Sequence, residues 1–339
     1  MLAGARNDGA ASLRPTASSG VLVAPGGGAY NGGTDARPRS AGKPGAPLEP
    51  SRPTMTLPDD ARAILPEGLL PKGLRPDEVL PKVRAIIHEA ALLALPFFRQ
   101  GERTTARVWN KSGGSPVTEA DVTVDAFLKV RLSELLPGAA WLSEETRDDP
   151  VRLAHDLVWI VDPIDGTRAF LSGDPDWSIA VALLAHGEPV LGHVAAPVTA
   201  TLYEAVAGQG ATKDGVPIRV SAQAGVAGAR VTGPKPMADR IERRLGLGET
   251  PGALVRLPRI PSLALRLVRV AEGLVDVGLV SSDARDWDLA GADLILREAG
   301  GAVVGLDGRP PVYNRREPIH GELIAVPEAL RAEVLAGLG

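Results

Sequence analysis

The sequence predicts a layered α/β sandwich, with an antiparallel sheet and two long helices in its first half and a smaller α/β unit in its second. Three observations point there. After a buried strand at 158–161, apolar, β-rich runs at 177–184, 189–195 and 201–207 are separated by turn signals such as His186-Gly187-Glu188 and Ala196-Pro197, which is how an antiparallel meander reads. Two helical patterns precede the meander, and further helices alternate with short strands after it. Patterning changes near Ala222, so the two halves are placed at 55–222 and 223–339.

Residues 1–54 stand apart. They are rich in Gly and Pro, and their apolar residues follow no period, which is a disordered composition. They lack the ordered features of a signal peptide and the amphipathic stretch of a transit peptide. Met55 opens the ordinarily patterned chain and is expected to be its true start. The 339 residues are 44% hydrophobic, which fits a soluble globular protein once the tail is set aside. A net charge of −4 and a pI near 5.8 argue against a broad surface for nucleic acid polymers. The absence of cysteine excludes disulfides, thiolate zinc sites, cysteine-ligated iron–sulfur clusters and a cysteine nucleophile, and fits a reducing, cytoplasmic setting. Apolar runs all fall short of the roughly 20 residues that a membrane span needs, so no integral span is expected; peripheral association with an inner membrane is compatible with this.

The elements follow in order. Over 76–98, Leu80, Val83, Ile87, Ala90, Ala91 and Ala94 fall near 3.6 spacing, so a helix is expected, ended or kinked at Leu95-Pro96. Thr118 is a good N-cap with Asp121 three residues on, a relative of the capping box. It opens a helix to about Leu136, which Pro137-Gly138 stops. The run 141–145 reads as a short strand ending in Glu144-Glu145. The buried strand at 158–161 is expected to end at Asp162-Pro163, because proline brings no N–H to a ladder. After the meander, Lys213-Asp214-Gly215 marks a tight turn. Strands are then expected at 229–233, 274–280, 301–304 and 323–326, with helices at 237–245, 262–272, 286–299 and 328–335. His186 and His193 are read as structural, since no second histidine stands at ligand spacing.

The stretch Asp162-Pro163-Ile164-Asp165-Gly166-Thr167 sends two carboxylates, at i and i+3, from a strand end into a turn. Like charges this close repel unless a cation or a proton neutralises them. Carboxylate pairs with nearby backbone carbonyls suit hard cations such as Mg²⁺. The plain alternative is an Asp-rich turn. Other acids also stand at element ends, each with an ordinary explanation. Asp121 can complement a helix dipole, Glu144 and Glu145 can be solvated charges, and Asp288 can cap a helix. Elements that end at one place can gather such acids into one site.

Asp162-Pro-Ile-Asp165-Gly-Thr167, with Glu144-Glu145 upstream and Trp287-Asp288-x-Ala-Gly downstream to Ala299-Gly300-Gly301, resembles the inositol monophosphatase superfamily over about residues 76–326. The resemblance implies that family's αβαβα sandwich, an Mg²⁺-dependent phosphatase acting on a small phosphorylated metabolite, and a homodimer, since members are often dimers. Glu144, Asp162, the Ile164 carbonyl and Asp165 would then bind Mg²⁺, with Asp165 shared between ions, and Asp288 would bind the second ion. Asp121 and Thr167 match positions that hold and activate the attacking water, Asp121 also serving a weaker third ion, and Glu144 is counted with them as catalytic. The backbone N–H groups of Gly166 and Thr167 would face the phosphate at a helix N-terminus. The substrate site would be lined by Glu144, Ile164, Asp165, Gly166, Thr167 and Asp288. The implied chemistry is two-metal hydrolysis without a covalent phosphoenzyme. Asp165→Asn is expected to abolish turnover with the fold intact.

Within the superfamily, Lys111 followed by Gly-Ser-Pro-Val-Thr-Glu-Ala-Asp resembles the 3′(2′),5′-bisphosphate nucleotidases of sulfate assimilation, which convert adenosine 3′,5′-bisphosphate to AMP. That branch carries Gly-Ser-Ser-x-Lys before Val-Ala-Glu-Gly. Here Val270-Ala271-Glu272-Gly273 is present, Leu263-Ala264 replace the serines and Arg266 replaces the lysine, so Arg266 is expected to be the cation for a second phosphate. Inositol monophosphatases typically hold a glutamate seven residues before the second-metal aspartate. Ser281 stands there, which weighs against inositol phosphate. The expected function is hydrolysis of adenosine 3′(2′),5′-bisphosphate. Inositol 1-phosphate, histidinol phosphate (whose phosphatases share the Ser-Pro-Val-Thr signature) and a non-catalytic metal- or phosphate-binding scaffold are the alternatives.

Overall fold

The computed structural model describes residues 76–111, 114–248 and 253–339. The expected tail, 1–54, and the expected start, Met55, lie outside the described residues. The helices are α1 (Pro76–Ala94), α2 (Glu119–Leu135), α3 (Thr167–Ser172), α4 (Lys235–Leu245), α5 (Leu263–Ala271), α6 (Asp286–Glu298) and α7 (Arg331–Leu338). A two-stranded hairpin, β1 (Val108–Asn110) with β2 (Pro116–Thr118), precedes α2. A seven-stranded sheet follows in chain order: β3 (Ala140–Ser143), β4 (Leu157–Asp165), β5 (Ser178–Ala185), β6 (Glu188–Ala196), β7 (Thr201–Val206), β8 (Ala211–Lys213) and β9 (Val216–Ile218). It is antiparallel except for the β3–β4 pair. The second sheet joins β10 (Arg230–Thr232), β11 (Val255–Arg256), β12 (Val277–Val280), β13 (Gly301–Gly305) and β14 (Leu323–Pro327) in the order β11-β10-β12-β14-β13.

Strand alternation builds the layers, because successive side chains point to opposite faces. Trp159, Val161, Ile179, Val181 and Leu183 share one core with α1 and α2. Their neighbours Val158, Ile160, Ala180, Ala182 and Leu184 share another with Leu265 and Val268 of α5 and Leu289 and Ile295 of α6. The far side of those two helices meets Val280, Val303, Leu323 and Ala325 of the second sheet. That sheet's opposite face, with Val231, Val277, Ile324 and Val326, packs on Met237 and Ile241 of α4 and Val334 and Leu338 of α7. The result is the expected αβαβα sandwich, with α5 and α6 as its middle layer. At roughly 25 cal/mol per Å² of apolar surface removed from water, three continuous cores account for most of the drive to fold.

Two local differences from the sequence reading bear on the site. The strand does not end at Asp162-Pro163: β4 runs to Asp165, and its pairing with β5 shifts between Asp162↔Ala180 and Asp165↔Ser178. Proline brings no N–H, so the ladder bulges around Pro163 and resumes, which re-aims the two aspartates. The hairpin β1–β2 and the strand β11 went unread because two or three residues carry no measurable period. His193 is buried in β6 with Nε2 3.2 Å from Oε1 of Glu204, its cross-strand partner, and His186 sits exposed in a turn beside Asp156. Both fit the structural reading.

Candidate metal centre

The acids arrive from four element ends. Thr118 caps α2 and closes a full capping box: Asp121 Oδ2 accepts from the Thr118 N–H at 2.8 Å and from its hydroxyl at 2.5 Å. The other oxygen, Oδ1, lies 3.4 Å from the Thr167 hydroxyl, which is also 3.3 Å from the Ile164 carbonyl. One turn on, Asp125 accepts from Ser143 Oγ and from Thr146 Oγ1 (2.6 Å). It thereby ties the segment carrying Glu144 and Glu145 to α2. Asp162 uses Oδ1 to accept from the Ile164 N–H at 3.0 Å across the bulge. Asp288 Oδ2 accepts from the Arg285 N–H at 2.6 Å at the start of α6.

Asp165 is held differently. Its carboxylate accepts from Ser262 Oγ at 2.5 Å and from the N–H groups of Ala264 (2.7 Å) and Leu263 (3.1 Å), all at the N-terminus of α5. Ser178 Oγ, 2.9 Å from Ser262 Oγ, completes the cradle. Between Asp165 and Thr167, Gly166 takes a left-handed φ of +92°, and a Cβ there would stand 3.3 Å from Asp176 O and from Ser262. Glycine permits this turn to lie flat on the α5 cap. In the sequence Ser262 marks only a helix start; a polar N-cap before an apolar helix signals a local partner, not an aspartate 97 residues earlier. Ser262→Ala removes both the cap and a donor to Asp165. We expect it to cost about 1–2 kcal/mol of stability and to weaken metal binding, measured by denaturant unfolding and metal titration. An unchanged midpoint and metal affinity would discount the cradle.

Oxygens of Asp162, Asp165 and Asp288 lie within 4.8 Å of one another. Among the described residues no Lys, Arg or His side chain forms an ion pair with any of the three. Burial, with the Glu144, Asp165, Asp288 and Asp121 charges, pushes the Asp162 carboxyl well above the usual range. Burial and the Asp165 and Glu144 charges do the same to Asp288, opposed by the N–H and the guanidinium charge of Arg285. Burial raises Asp165 as well, opposed by its α5 donors. Burial takes Asp121 up to about 6 despite its capping bonds. Oxygen donors alone, crowded and largely buried, are the donor set of a hard divalent cation. Glu144 is not within the close trio. Its Oε1 is 2.7 Å from Lys111 Nζ, which also reaches Glu145 Oε1 at 2.7 Å. Burial works against the Lys111 charge, yet the two carboxylates hold it above the ordinary lysine value. Glu145 is raised to about 7 by burial, with Lys111 opposing.

Arg266 requires a correction. It is 3% exposed, and its Nη1 and Nη2 donate to the carbonyls of Leu279 (2.8 Å) and Ile260 (2.6 Å). A guanidinium buried under two carbonyls is not available to a phosphate. Its place on the inward face of α5 decides this, and spacing from Val-Ala-Glu-Gly does not reveal that.

The inositol monophosphatase family model matches residues 79–336. The chain belongs to this family. Within the inositol monophosphatase family, the 3′(2′),5′-bisphosphate nucleotidase CysQ of Aggregatibacter actinomycetemcomitans is 32% identical over 214 residues, covering 61% of this chain and 78% of that protein. The histidinol-phosphatase of Mycobacterium tuberculosis is 32% identical over 269 residues, covering 74% of this chain and 98% of that protein. Among solved structures, the extragenic suppressor protein suhB of Bartonella henselae superposes with a TM-score of 0.66 at 25% identity, over 77% of this chain and 98% of that one. The Thermotoga maritima IMPase superposes with a TM-score of 0.65 at 26% identity, over 77% of this chain and 96% of that one. The protein is thus a phosphatase of the inositol monophosphatase family, with an acidic cluster fit for metal. No helix among the described residues is long and apolar enough to cross a membrane.

Proposed function

We propose that this protein is an Mg²⁺-dependent phosphatase that removes one phosphate from adenosine 3′(2′),5′-bisphosphate, leaving AMP. The observation that carries the metal chemistry is the convergence of Asp162, Asp165 and Asp288 in a largely buried acidic cluster. Glu144, Asp162, the Ile164 carbonyl and Asp165 would hold Mg²⁺, and Asp288 a second ion. When bound, the metal would neutralise phosphate charge, activate water and stabilise the leaving oxygen. The Thr167 hydroxyl, 3.4 Å from Asp121 Oδ1, can take a proton from the attacking water and pass one to Asp121. In the metal-free protein burial raises this carboxyl to about 6. The N–H groups of Gly166 and Thr167 orient the phosphate. Lys111, on its short hairpin, holds Glu144 and Glu145 through its ammonium.

For the substrate, support comes from the similarity to the bisphosphate nucleotidase CysQ and from the motif after Lys111. One observation favours a second reading, histidinol phosphate: the Mycobacterium tuberculosis histidinol-phosphatase is matched over 98% of its length. The deciding experiment is phosphate release with Mg²⁺ from adenosine 3′,5′-bisphosphate, histidinol phosphate and inositol 1-phosphate. We expect kcat/KM for the bisphosphate to exceed the others by at least about tenfold, because a site that pairs a second phosphate leaves its polar groups unpaired with a monophosphate. A preference for either monophosphate would overturn the substrate and keep the phosphatase.

A further inference from the structure

A substrate with a second phosphate needs a cation away from the metal centre, and Arg266 is not available. Several neighbouring basic residues are also engaged. Lys111 bridges Glu144 and Glu145, Arg230 pairs with Asp276, Arg256 with Asp239 and Glu242, and Arg269 with Glu272. Arg259 differs. It is exposed and makes no hydrogen bond or ion pair among the described residues.

The backbone around Arg259 is nevertheless fixed. On one side, Leu257 N–H donates to Val231 O at 2.8 Å, and Thr232 Oγ1 donates to the Pro258 carbonyl at 2.8 Å. On the other, the Ile260 carbonyl accepts from Arg266 Nη2, and Ser262 donates to both Asp176 O and Asp165. The loop 257–262 therefore runs from the edge of the second sheet to the cradle of Asp165, beside the Gly166 turn. Arg266 lies within electrostatic reach of both Arg259 and Asp165. An unpaired guanidinium on a pinned loop beside a phosphatase centre is pre-organised to bind an anion, and its planar fork matches phosphate bidentately.

We propose that Arg259 is a substrate-binding, specificity-determining residue that receives a second phosphate group of the substrate, while Arg266 positions the loop that presents it. This rests on the bisphosphate reading above.

The test measures kcat/KM for adenosine 3′,5′-bisphosphate and for adenosine 3′-monophosphate, which lacks the distal phosphate, in the full chain with Mg²⁺. Arg259→Gln, Arg259→Lys and Arg168→Gln are compared; Arg168 is a second exposed arginine, in the first turn of α3. The original protein is expected to prefer the bisphosphate. Arg259→Gln should shrink that preference by about tenfold or more, through KM, because a charge-assisted phosphate contact is lost. Its activity on the monophosphate should stay within about twofold, since binding of the scissile phosphate is untouched. Arg259→Lys should keep part of the preference. If the original protein shows a preference that Arg259→Gln leaves intact, or that Arg168→Gln removes instead, the Arg259 proposal fails and the bisphosphate reading stands. If the original protein shows no preference between the two nucleotides, both fail.

Discussion

Asp162→Asn is expected to reduce kcat/KM by about three orders of magnitude or more and to leave the metal-free protein at least as stable as the original. The two effects share one cause. Asp162 is 1% exposed among four other acids that each raise its pKa after burial has done so. Asparagine keeps the Oδ1 that accepts from Ile164 N–H and removes one buried charge. In the metal-free protein that relieves repulsion, worth on the order of 2–4 °C in melting temperature for each kcal/mol recovered. In the loaded protein it removes a ligand that a hard cation requires. The pH dependence follows from the direction of the shifts. Carboxyls raised in the folded state bind protons more tightly there than in the unfolded chain. Their contribution is present below the ordinary carboxylate range and lost as pH rises through the folded values, about 6 for Asp121 and about 7 for Glu145. The metal-free original should therefore lose stability from about pH 4 to pH 7, and Mg²⁺ should restore it. Asp162→Asn should flatten the loss and abolish the metal-induced rise in melting temperature, both read by calorimetry with and without Mg²⁺. A variant that still gains stability from Mg²⁺ would sink the metal assignment. Asp165→Asn is a poorer probe than the sequence implies: its carboxylate accepts from Ser262 and two α5 N–H groups, and an amide nitrogen turned toward those donors would loosen the cap as well as the site.

The layers and the acids were legible because they leave periodic or compositional traces. Short apolar runs at 177–184 and 189–195, bounded by turn signals, mark the strands, and Thr118 with Asp121 marks a helix start; both recur in the structure nearly residue for residue. Asp162, Asp165 and Asp288 stood out as acids at element ends, and the fold brings those ends together. What stayed illegible depends on contacts distant in sequence. Arg266 occupies the position of a phosphate-binding lysine, yet whether it faces solvent or the Leu279 and Ile260 carbonyls is set by how α5 is sandwiched between two sheets. Ser262 looks like any N-cap until β4 delivers Asp165 to it. Pro163 forbids a ladder bond at its own position, and the sequence does not say that pairing resumes two residues later, because Asp165 regains a partner only through the geometry of β5.

Gly192→Ala is expected to be strongly destabilising, and to damage the metal site from a distance. Gly192 lies in β6 with Ala182 and Ala205 as its cross-strand neighbours, and α6 crosses directly over it. A Cβ on Gly192 would stand 2.4 Å from the carbonyl oxygen of Gly291, and a Cβ on Gly291 would stand 2.9 Å from that of Val181. Both obstacles are backbone, so no rotamer change can relieve them. Either α6 lifts off the sheet or the sheet bends, and a close-packed interior resists both. We expect a loss of about 3 kcal/mol or more, which for a domain of this size lowers the melting temperature on the order of 6–12 °C. Asp288 lies three residues before Gly291, close to one turn along the same helix, so lifting α6 also withdraws Asp288 from Asp162 and Asp165. The half-saturating Mg²⁺ concentration should therefore rise alongside the stability loss, where a defect confined to packing would lower melting temperature alone. Gly321→Ala is the control: its Cβ would meet nothing within 4 Å, and the change should stay within about 0.5 kcal/mol. Calorimetry and metal titration on the two variants decide the matter. Equal stability would show that helix and sheet do not approach this closely, and a destabilised Gly192→Ala with unchanged Mg²⁺ dependence would show that α6 does not carry the position of Asp288.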